Sequence, residues 1–236
     1  MKQPYIYPGN ELLLFQQALK WKKYFSHAIR PYVKGKVLEV GAGLGVNTTW
    51  LNNSAVTSIT LLEPDEKFFT LLEEKKKMGK FPDHCNVVKG KLEAIGHEQF
   101  DTIVYLDVLE HIEDDKEELA RAALLLASGG HLVVLSPAFQ FLYSPFDKAI
   151  GHYRRYSRKS FKKVTPPATT LVRMYYLDTA GFFASLVNRL FLRQSYPTVK
   201  QVYLWDRWMI PVSMISDRLF FHSFGKSIVA ILQKTP

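Results

Sequence analysis

Val37-Leu38-Glu39-Val40-Gly41-Ala42-Gly43-Leu44-Gly45 is the stretch on which the fold of this 236-residue chain turns. It reads as a short apolar strand running into a glycine-rich turn, with a helix beginning near Val46. Three alternate glycines let a ligand approach the backbone, since no Cβ stands in the way and positive φ is cheap for glycine. A helix N-terminus behind the turn would add unpaired N–H groups and a positive dipole end. The dinucleotide fingerprint G-x-G-x-x-G needs glycine or alanine five residues after its first glycine. Counting from Gly41 lands on Val46, which disfavours a nicotinamide dehydrogenase. The spacing is instead E-x-G-x-G-x-G, with an acid inside the strand. An ordinary tight βα turn is the plain alternative, so the rest of the chain has to arbitrate.

Working outward, strands alternate with helices. Ser58–Glu63 is a second buried-type strand ending on an acid, and Pro64-Asp65 open a helix to about Lys77, stopped by Gly79. Lys75-Lys76-Lys77 suits a helix C-terminus, where the dipole favours cations. Asn86–Lys89 and Phe100–Leu106 are further strands, Glu113–Ser128 a helix stopped by Gly129-Gly130, and His131–Ser136 a fifth strand. A long loop is expected over 138–168, then a strand at Leu171–Leu177, aromatic helical segments, and a last strand at Ser227–Gln233. Before the glycine turn, Asn10 is a good N-cap for a helix over 11–30 closed by Pro31. Its partial apolar stripe places that helix on the domain surface. Alternating strands and helices predict an α/β fold with a mostly parallel sheet covered on both faces.

Composition sets the outer bounds. Hydrophobic residues make up 47% and charged residues 22%, a globular balance. The single cysteine, Cys85, excludes an intramolecular disulfide and favours a reducing, cytoplasmic setting. Neither a signal-peptide pattern nor an apolar run of the ~18–20 residues needed to span a bilayer is visible. Residues 151–236 carry 14 Lys+Arg against 3 Asp+Glu, whereas 1–150 carry 17 against 19. A near-neutral first part and a basic, aromatic last part point to different partners.

In an open parallel sheet, ligands bind beyond the carboxyl ends of the strands. The residues there are Gly41, Gly43 and Gly45; then Glu63, whose carboxylate can accept two hydrogen bonds from a ribose diol; then Gly90-Lys91-Leu92-Glu93; then Asp107-Val108-Leu109-Glu110-His111. The segments Val37–Gly45, Leu61–Asp65, Phe100–Asp115 and Gly129–Ser136 together resemble a class I S-adenosylmethionine-dependent methyltransferase. The subgroup most similar is the ubiquinone/menaquinone-biosynthesis-like one, in which a strand ends in a D-x-L-E-H type sequence. The resemblance implies a Rossmann-like seven-stranded sheet, with an extra N-terminal helix and a helical, aromatic insertion before the last strand. One domain is expected: a cap helix in 1–34, a cofactor core in 35–137, and an acceptor side in 138–236.

It also implies S-adenosylmethionine as cofactor. The candidate cofactor residues are Glu39, Gly41, Gly43, Gly45, Glu63, Leu92, Glu93 and Asp107. Glu63 falls on the ribose, Gly41 and Gly43 beside the methionine moiety, the segment after strand three at the adenine, and Asp107 near the sulfonium. Lys91 departs from the family, which has an acid at that position; Glu93 or a backbone N–H of Leu92 would take over the adenine contact. Transfer to oxygen or nitrogen requires removal of a proton, for which His111 and His152 are the candidates, and packing remains the competing role for His111. Asp107, Glu110 and His111 also look like metal ligands, and a comparable set has been linked to a divalent metal in related quinone O-methyltransferases. Such trios are common without metal, and none is expected here.

The run Ser144–Ser157 combines Tyr153, Arg154, Arg155 and Tyr156 with His152, and is the candidate acceptor site. Paired arginines suit phosphate or carboxylate; a loop salt-bridged to the acidic first part is the bland alternative. In Gly181–Phe224 most of Phe182, Phe183, Phe191, Trp205, Trp208, Phe220, Phe221 and Phe224 are expected in the core. The remainder would form a lid or a membrane-interface contact. The resemblance implies methyl transfer to an oxygen, nitrogen or carbon of a small or lipid-linked acceptor, and the basic loop suits an anionic one. Nucleic acid is disfavoured because the segment is so apolar. An RNA or protein methyltransferase and a non-catalytic binding module are the alternatives.

Overall fold

A computed structural model describes Tyr7, Gly9 and residues 11–192 and 196–235, with residues 11 and 192 described through their backbone only. The expected N-cap Asn10 and the basic residue Arg193 lie outside the described residues. Seven strands form one sheet in the order β3-β2-β1-β4-β5-β7-β6. They are β1 Gly35–Val40, β2 Val56–Glu63, β3 Cys85–Lys89, β4 Phe100–Leu106, β5 Leu126–Pro137, β6 Thr169–Leu177 and β7 Ser227–Lys234. The pairs β1–β2, β1–β4, β2–β3 and β4–β5 are parallel. Strand β7 runs antiparallel to both its neighbours. The strand order reverses between the paired strands β1 and β4, so the connections leaving them run in opposite directions and open a crevice at their carboxyl ends.

Two apolar layers sandwich the sheet. Val37, Leu61, Val104 and Val133 face one layer, completed by Phe25 and Leu72. Leu38, Leu62, Ile103 and Leu132 face the other, with Leu119 and Phe161. The alternation along each strand is the period of two that sends successive side chains to opposite faces. Helices α4 (Glu66–Lys77) and α5 (Asp115–Leu125) connect parallel strands. Asp65 caps α4, accepting from Lys67 N at 2.9 Å and Phe68 N at 3.2 Å. Gly79, at φ 67°, closes the same helix.

Several local expectations are corrected. The N-terminal helix is broken into α1 (Glu11–Phe15) and α2 (Leu19–Ile29). The ammonium of Lys22 donates to Phe15 O at 2.6 Å, taking the end carbonyl of α1. Helix α2 is not superficial, because Trp21, Lys22, Phe25 and Ile29 are buried against the sheet and the C-terminal helices. Helix α5 ends at Leu125, and Gly129-Gly130 sit inside the long β5, where the register with β4 shifts. Gly130 serves that irregularity because a Cβ there would lie 2.9 Å from Ala127 O. The region after β5 holds two short helices, α6 (Pro145–Ala149) and α7 (Arg158–Val164).

Candidate active site

A cavity of about 660 Å³ opens at the carboxyl ends of β1, β2 and β4. Its cofactor side is built by the glycine turn after β1. Gly41 and Gly43 adopt φ 66° and 54° and border the cavity. A Cβ on Gly41 would lie 2.8 Å from both methyls of Val108, and one on Gly43 would lie 3.3 Å from Leu12. Gly45 serves a different purpose. Its Cβ would lie 2.5 Å from Phe81 Cζ and 2.7 Å from Leu72 Cδ2, so its smallness admits core side chains, and it does not line the cavity. The helix behind the turn, α3, is only Thr48–Leu51. Within the turn, Gly41 N donates to Leu62 O at 2.8 Å and Gly43 N to Glu63 Oε2 at 2.7 Å, so neither is left for a ligand. A helix of one turn adds little dipole, and these glycines serve the cradle by shape.

Glu63 ends β2 and faces the cavity. Oε2 accepts from Gly43 N, and Oε1 accepts from Asp65 N at 2.9 Å. A carboxylate offers about four lone-pair sites, so about two remain for a pair of hydroxyls. Burial raises its pKa; the two backbone N–H groups oppose that, and the Asp65 charge adds to it. Glu39 is one strand away and does not reach the cavity. It is buried and accepts from Thr48 Oγ1 at 2.7 Å, which anchors α3, and burial pushes its pKa up to about 7. Leu92 also lies outside the lining, packed in the second core layer, whereas Glu93 stands at the rim and is bonded to Arg121. Lys91 borders the cavity beside it.

Asp107 occupies the tip of β4 at φ 56°, with its N–H donated to Leu135 O at 2.9 Å. Its carboxylate opens onto the cavity. Burial pushes it up to about 6, against the pull of His152, Lys226 and Lys22. Glu110 is fully buried and accepts from Ser136 Oγ at 2.9 Å, and its Oε1 has no hydrogen-bond partner among the described residues. Burial, helped by the Asp107 charge, raises its pKa well above the usual carboxylate range.

The two histidines meet edge to face, with ring centroids 4.5 Å apart. His152 Nδ1 lies 2.9 Å from Asp147 Oδ1, and Nε2 lies 3.8 Å from Glu110 Oε1. His111 Nε2 is 3.4 Å from Tyr7 Oη, and its Nδ1 has no hydrogen-bond partner among the described residues. Burial, then the neighbouring His152, push His111 down to about 3. It is a neutral ring at pH 7. The ligand atoms of Glu110, His111 and His152 lie within 4.8 Å of one another.

The Tyr153–Tyr156 run divides in two. Tyr153 and Arg155 line the cavity, whereas Arg154 and Tyr156 do not. Arg154 pairs with Asp115 at 2.7 Å and donates to Glu113 O at 2.6 Å. Tyr156 Oη donates to Asp115 at 2.6 Å from a buried ring. Both tie the loop to the start of α5, so they are withdrawn from the acceptor set. Arg155 is only 8% exposed and forks onto Asp147, through Nε and Nη2, both at 2.8 Å. Burial favours the neutral form of Asp147, but the hydrogen bond from His152 and the charge of Arg155 outweigh it and hold this carboxyl well below the usual range.

Lys22, Lys226, Phe15 and Trp205 also line the cavity. No local pattern marks them. Lys226 follows Gly225 in the turn into β7, and its Nζ sits 4.4 Å above the Trp205 ring and 5.7 Å from Phe15.

A doubly wound sheet with a glycine cradle, a buried carboxylate with two free acceptor sites and a second acid beside it fits S-adenosylmethionine. These features define a Rossmann-like class I S-adenosylmethionine-dependent methyltransferase. The chain belongs to the Methyltransferase domain family, whose model matches residues 14–187. Solved structures share the fold throughout. One is a candidate sarcosine dimethylglycine methyltransferase of Galdieria sulphuraria, 17% identical, with a TM-score of 0.60 over 92% of this chain and 85% of that one. An S-adenosylmethionine-dependent methyltransferase of Clostridium acetobutylicum is 11% identical, with a TM-score of 0.60 over 96% of each chain. A candidate methyltransferase of Bacillus halodurans is 14% identical, with a TM-score of 0.60 over 91% and 99%. No curated protein sequence matches the chain.

Proposed function

We propose that the enzyme methylates an oxygen or nitrogen of a small or lipid-linked acceptor that has an anionic head and an apolar body. The observation that carries this reading is an unused buried guanidinium donor and a cation without an ion pair, both in the cavity wall. Arg155 Nη1 is buried without a hydrogen-bond partner among the described residues. Lys226 Nζ lies over aromatic rings, with no ion pair among the described residues. An unsatisfied buried donor costs about 1–3 kcal/mol, more when charged, and an acceptor carboxylate or phosphate would remove that cost. Burial and the neighbouring Arg155 charge lower the Lys226 pKa, though the carboxylates of Asp178, Asp107 and Asp147 oppose this; a bound anion would likewise favour its charged form. Phe15, Phe146 and Trp205 provide the apolar surface for the rest of the molecule.

S-adenosylmethionine supplies a methyl carbon already activated by positive sulfur. The chain's own work is alignment, worth up to ~7–11 kcal/mol, and removal of the acceptor proton. Gly41, Gly43 and Glu63 position the cofactor, and Asp107 faces the same space. His152 takes the proton on Nε2 while Asp147 holds Nδ1–H, the base-and-orienter arrangement that nucleophile activation requires. His111, pushed to about 3, is too weak a base at pH 7 and shapes the pocket instead. Leu92, Glu39 and Gly45 act from behind the wall, without touching the cofactor.

The test is transfer of a labelled methyl group from the cofactor into a cell extract, followed by fractionation. Label in an acidic, organic-extractable small-molecule fraction is the expected result; label confined to RNA or protein would overturn the reading. Lys226→Met should raise the acceptor KM by about tenfold, the weight of one lost charged contact, and leave cofactor affinity unchanged.

A further inference from the structure

Helices α8 (Thr179–Val187), α9 (Val199–Leu204) and α10 (Ile210–Leu219) carry apolar side chains on two opposite faces. The inward face is ordinary core: Val202, Trp205 and Ile210 are buried against α2 and the sheet. The outward face is equally apolar and has no partner among the described residues. Leu204, Trp208, Val212, Ile215 and Leu219 recur at intervals of three or four residues and are all exposed, which places them on one stripe. Phe191 at 76% and Phe221 at 86% exposure extend the patch beyond the helices. Here the sequence expectation of a mainly buried segment fails. Of its eight phenylalanines and tryptophans, Phe183, Phe191, Trp208, Phe220 and Phe221 are exposed. Contiguous exposed patches of this kind mark interaction surfaces.

Charge identifies the partner. Only two acids occur between 179 and 221, Asp206 and Asp217, and both turn inward. Asp206 accepts from Trp21 N at 2.8 Å and Lys20 N at 3.2 Å. Asp217 accepts from Tyr24 Oη and Asp178 N, each at 2.7 Å. The cations Arg189, Lys200, Arg207 and Arg218 are exposed. Arg207 lies against the Trp208 ring, its guanidinium 5.7 Å from the centroid. The outer face is therefore apolar and cationic, with no acid to balance it. A second copy of the chain, docked through the same patch, would bring like charges together. An anionic bilayer satisfies both features, because the apolar side chains enter the headgroup–acyl boundary while arginines meet lipid phosphates. Among the described residues no helix is long and apolar enough to cross a membrane, so contact is with the surface.

We propose that the 179–221 face docks the enzyme on an anionic membrane surface. The docked face adjoins the cavity mouth. Trp205 lines the cavity from the same helical run as Trp208, and Tyr196 packs on the cavity residue Phe146 at 5.3 Å. Docking does not depend on which acceptor is methylated.

Flotation with vesicles tests the proposal directly, using phosphatidylcholine alone or mixed with an equal part of phosphatidylglycerol. The full chain should float with the anionic vesicles at about 0.01 M salt. At about 1 M, where the screening length falls from about 30 Å to about 3 Å, binding should drop at least about tenfold. Trp208→Gln with Ile215→Gln and Leu219→Gln should stay at the bottom at either salt, with an unchanged melting profile, since all three side chains are exposed. Arg207→Glu with Arg218→Glu should erase the preference for anionic lipid, a second variant independent of the apolar set. Failure of the parent to float, or flotation of the triple variant like the parent, overturns the proposal. A parent dimer that the triple variant dissociates, without vesicle binding, would assign the face to a second copy instead.

Discussion

Replacing Glu63 by glutamine tests the cofactor side at its most committed residue. Two of its roughly four acceptor sites are used by Gly43 N and Asp65 N, which leaves about two for ligand hydroxyls. Glutamine keeps one acceptor oxygen and loses the charge, so at least one charge-assisted hydrogen bond worth about 1.5–3 kcal/mol disappears. That corresponds to roughly 10- to 150-fold weaker binding. The amide NH₂ must also face one of the two backbone N–H groups, so the melting temperature should fall as well. Titration calorimetry with the demethylated product measures the first effect and thermal unfolding the second. Burial raises the Glu63 carboxyl above its usual range. The parent's affinity should therefore weaken as pH falls through that raised value, whereas the variant's should not. A variant binding within about threefold of the parent would refute the assignment, since the expected loss from one such bond is larger.

Other consequences follow from buried groups. Glu39 has a folded pKa of about 7 against an ordinary 4.5, so its contribution to stability is full below 4.5 and lost as pH rises through 7. Glu39→Gln, still able to accept from Thr48, should be more stable than the parent at pH 8 by up to about 3 kcal/mol, measured by denaturant melts. Gly45→Ala should destabilise by about 1–3 kcal/mol beyond Gly79→Ala. Both positions have positive φ, but only the first meets other atoms, so equal melting temperatures would remove the packing role of Gly45. Asp147→Asn breaks the buried pair with Arg155 and releases His152, at about 3–5 kcal/mol. Adding Arg155→Met should recover stability without recovering turnover, and recovered turnover would show that His152 needs no orienting partner. Chelation by EDTA should leave turnover unchanged, because the methyl carbon is already activated by positive sulfur; loss restored by a divalent ion would convert the Glu110–His111–His152 cluster into a metal site.

Much of the framework was legible in the sequence by itself. The strand ending in Gly41-Ala42-Gly43, the acid ending β2, and the alternation of strands and helices are local patterns, set by backbone sterics and by the periodicity of burial. They located the sheet and the cavity, and they singled out Glu63, Asp107 and His152. They could not divide residues of one type that stand side by side. Gly43 borders the cavity while Gly45 admits Phe81, which is 36 residues further along the chain. Arg155 turns inward to Asp147 and its neighbour Arg154 outward to Asp115, so one borders the cavity and the other staples a loop. Lys226 reaches the cavity only because β7 inserts antiparallel between β5 and β6. The aromatic insertion looked like core because its composition is that of core. Only the packed structure shows one apolar stripe consumed by α2 and the sheet and the other left bare, since a helix can bury only the side that meets a neighbour.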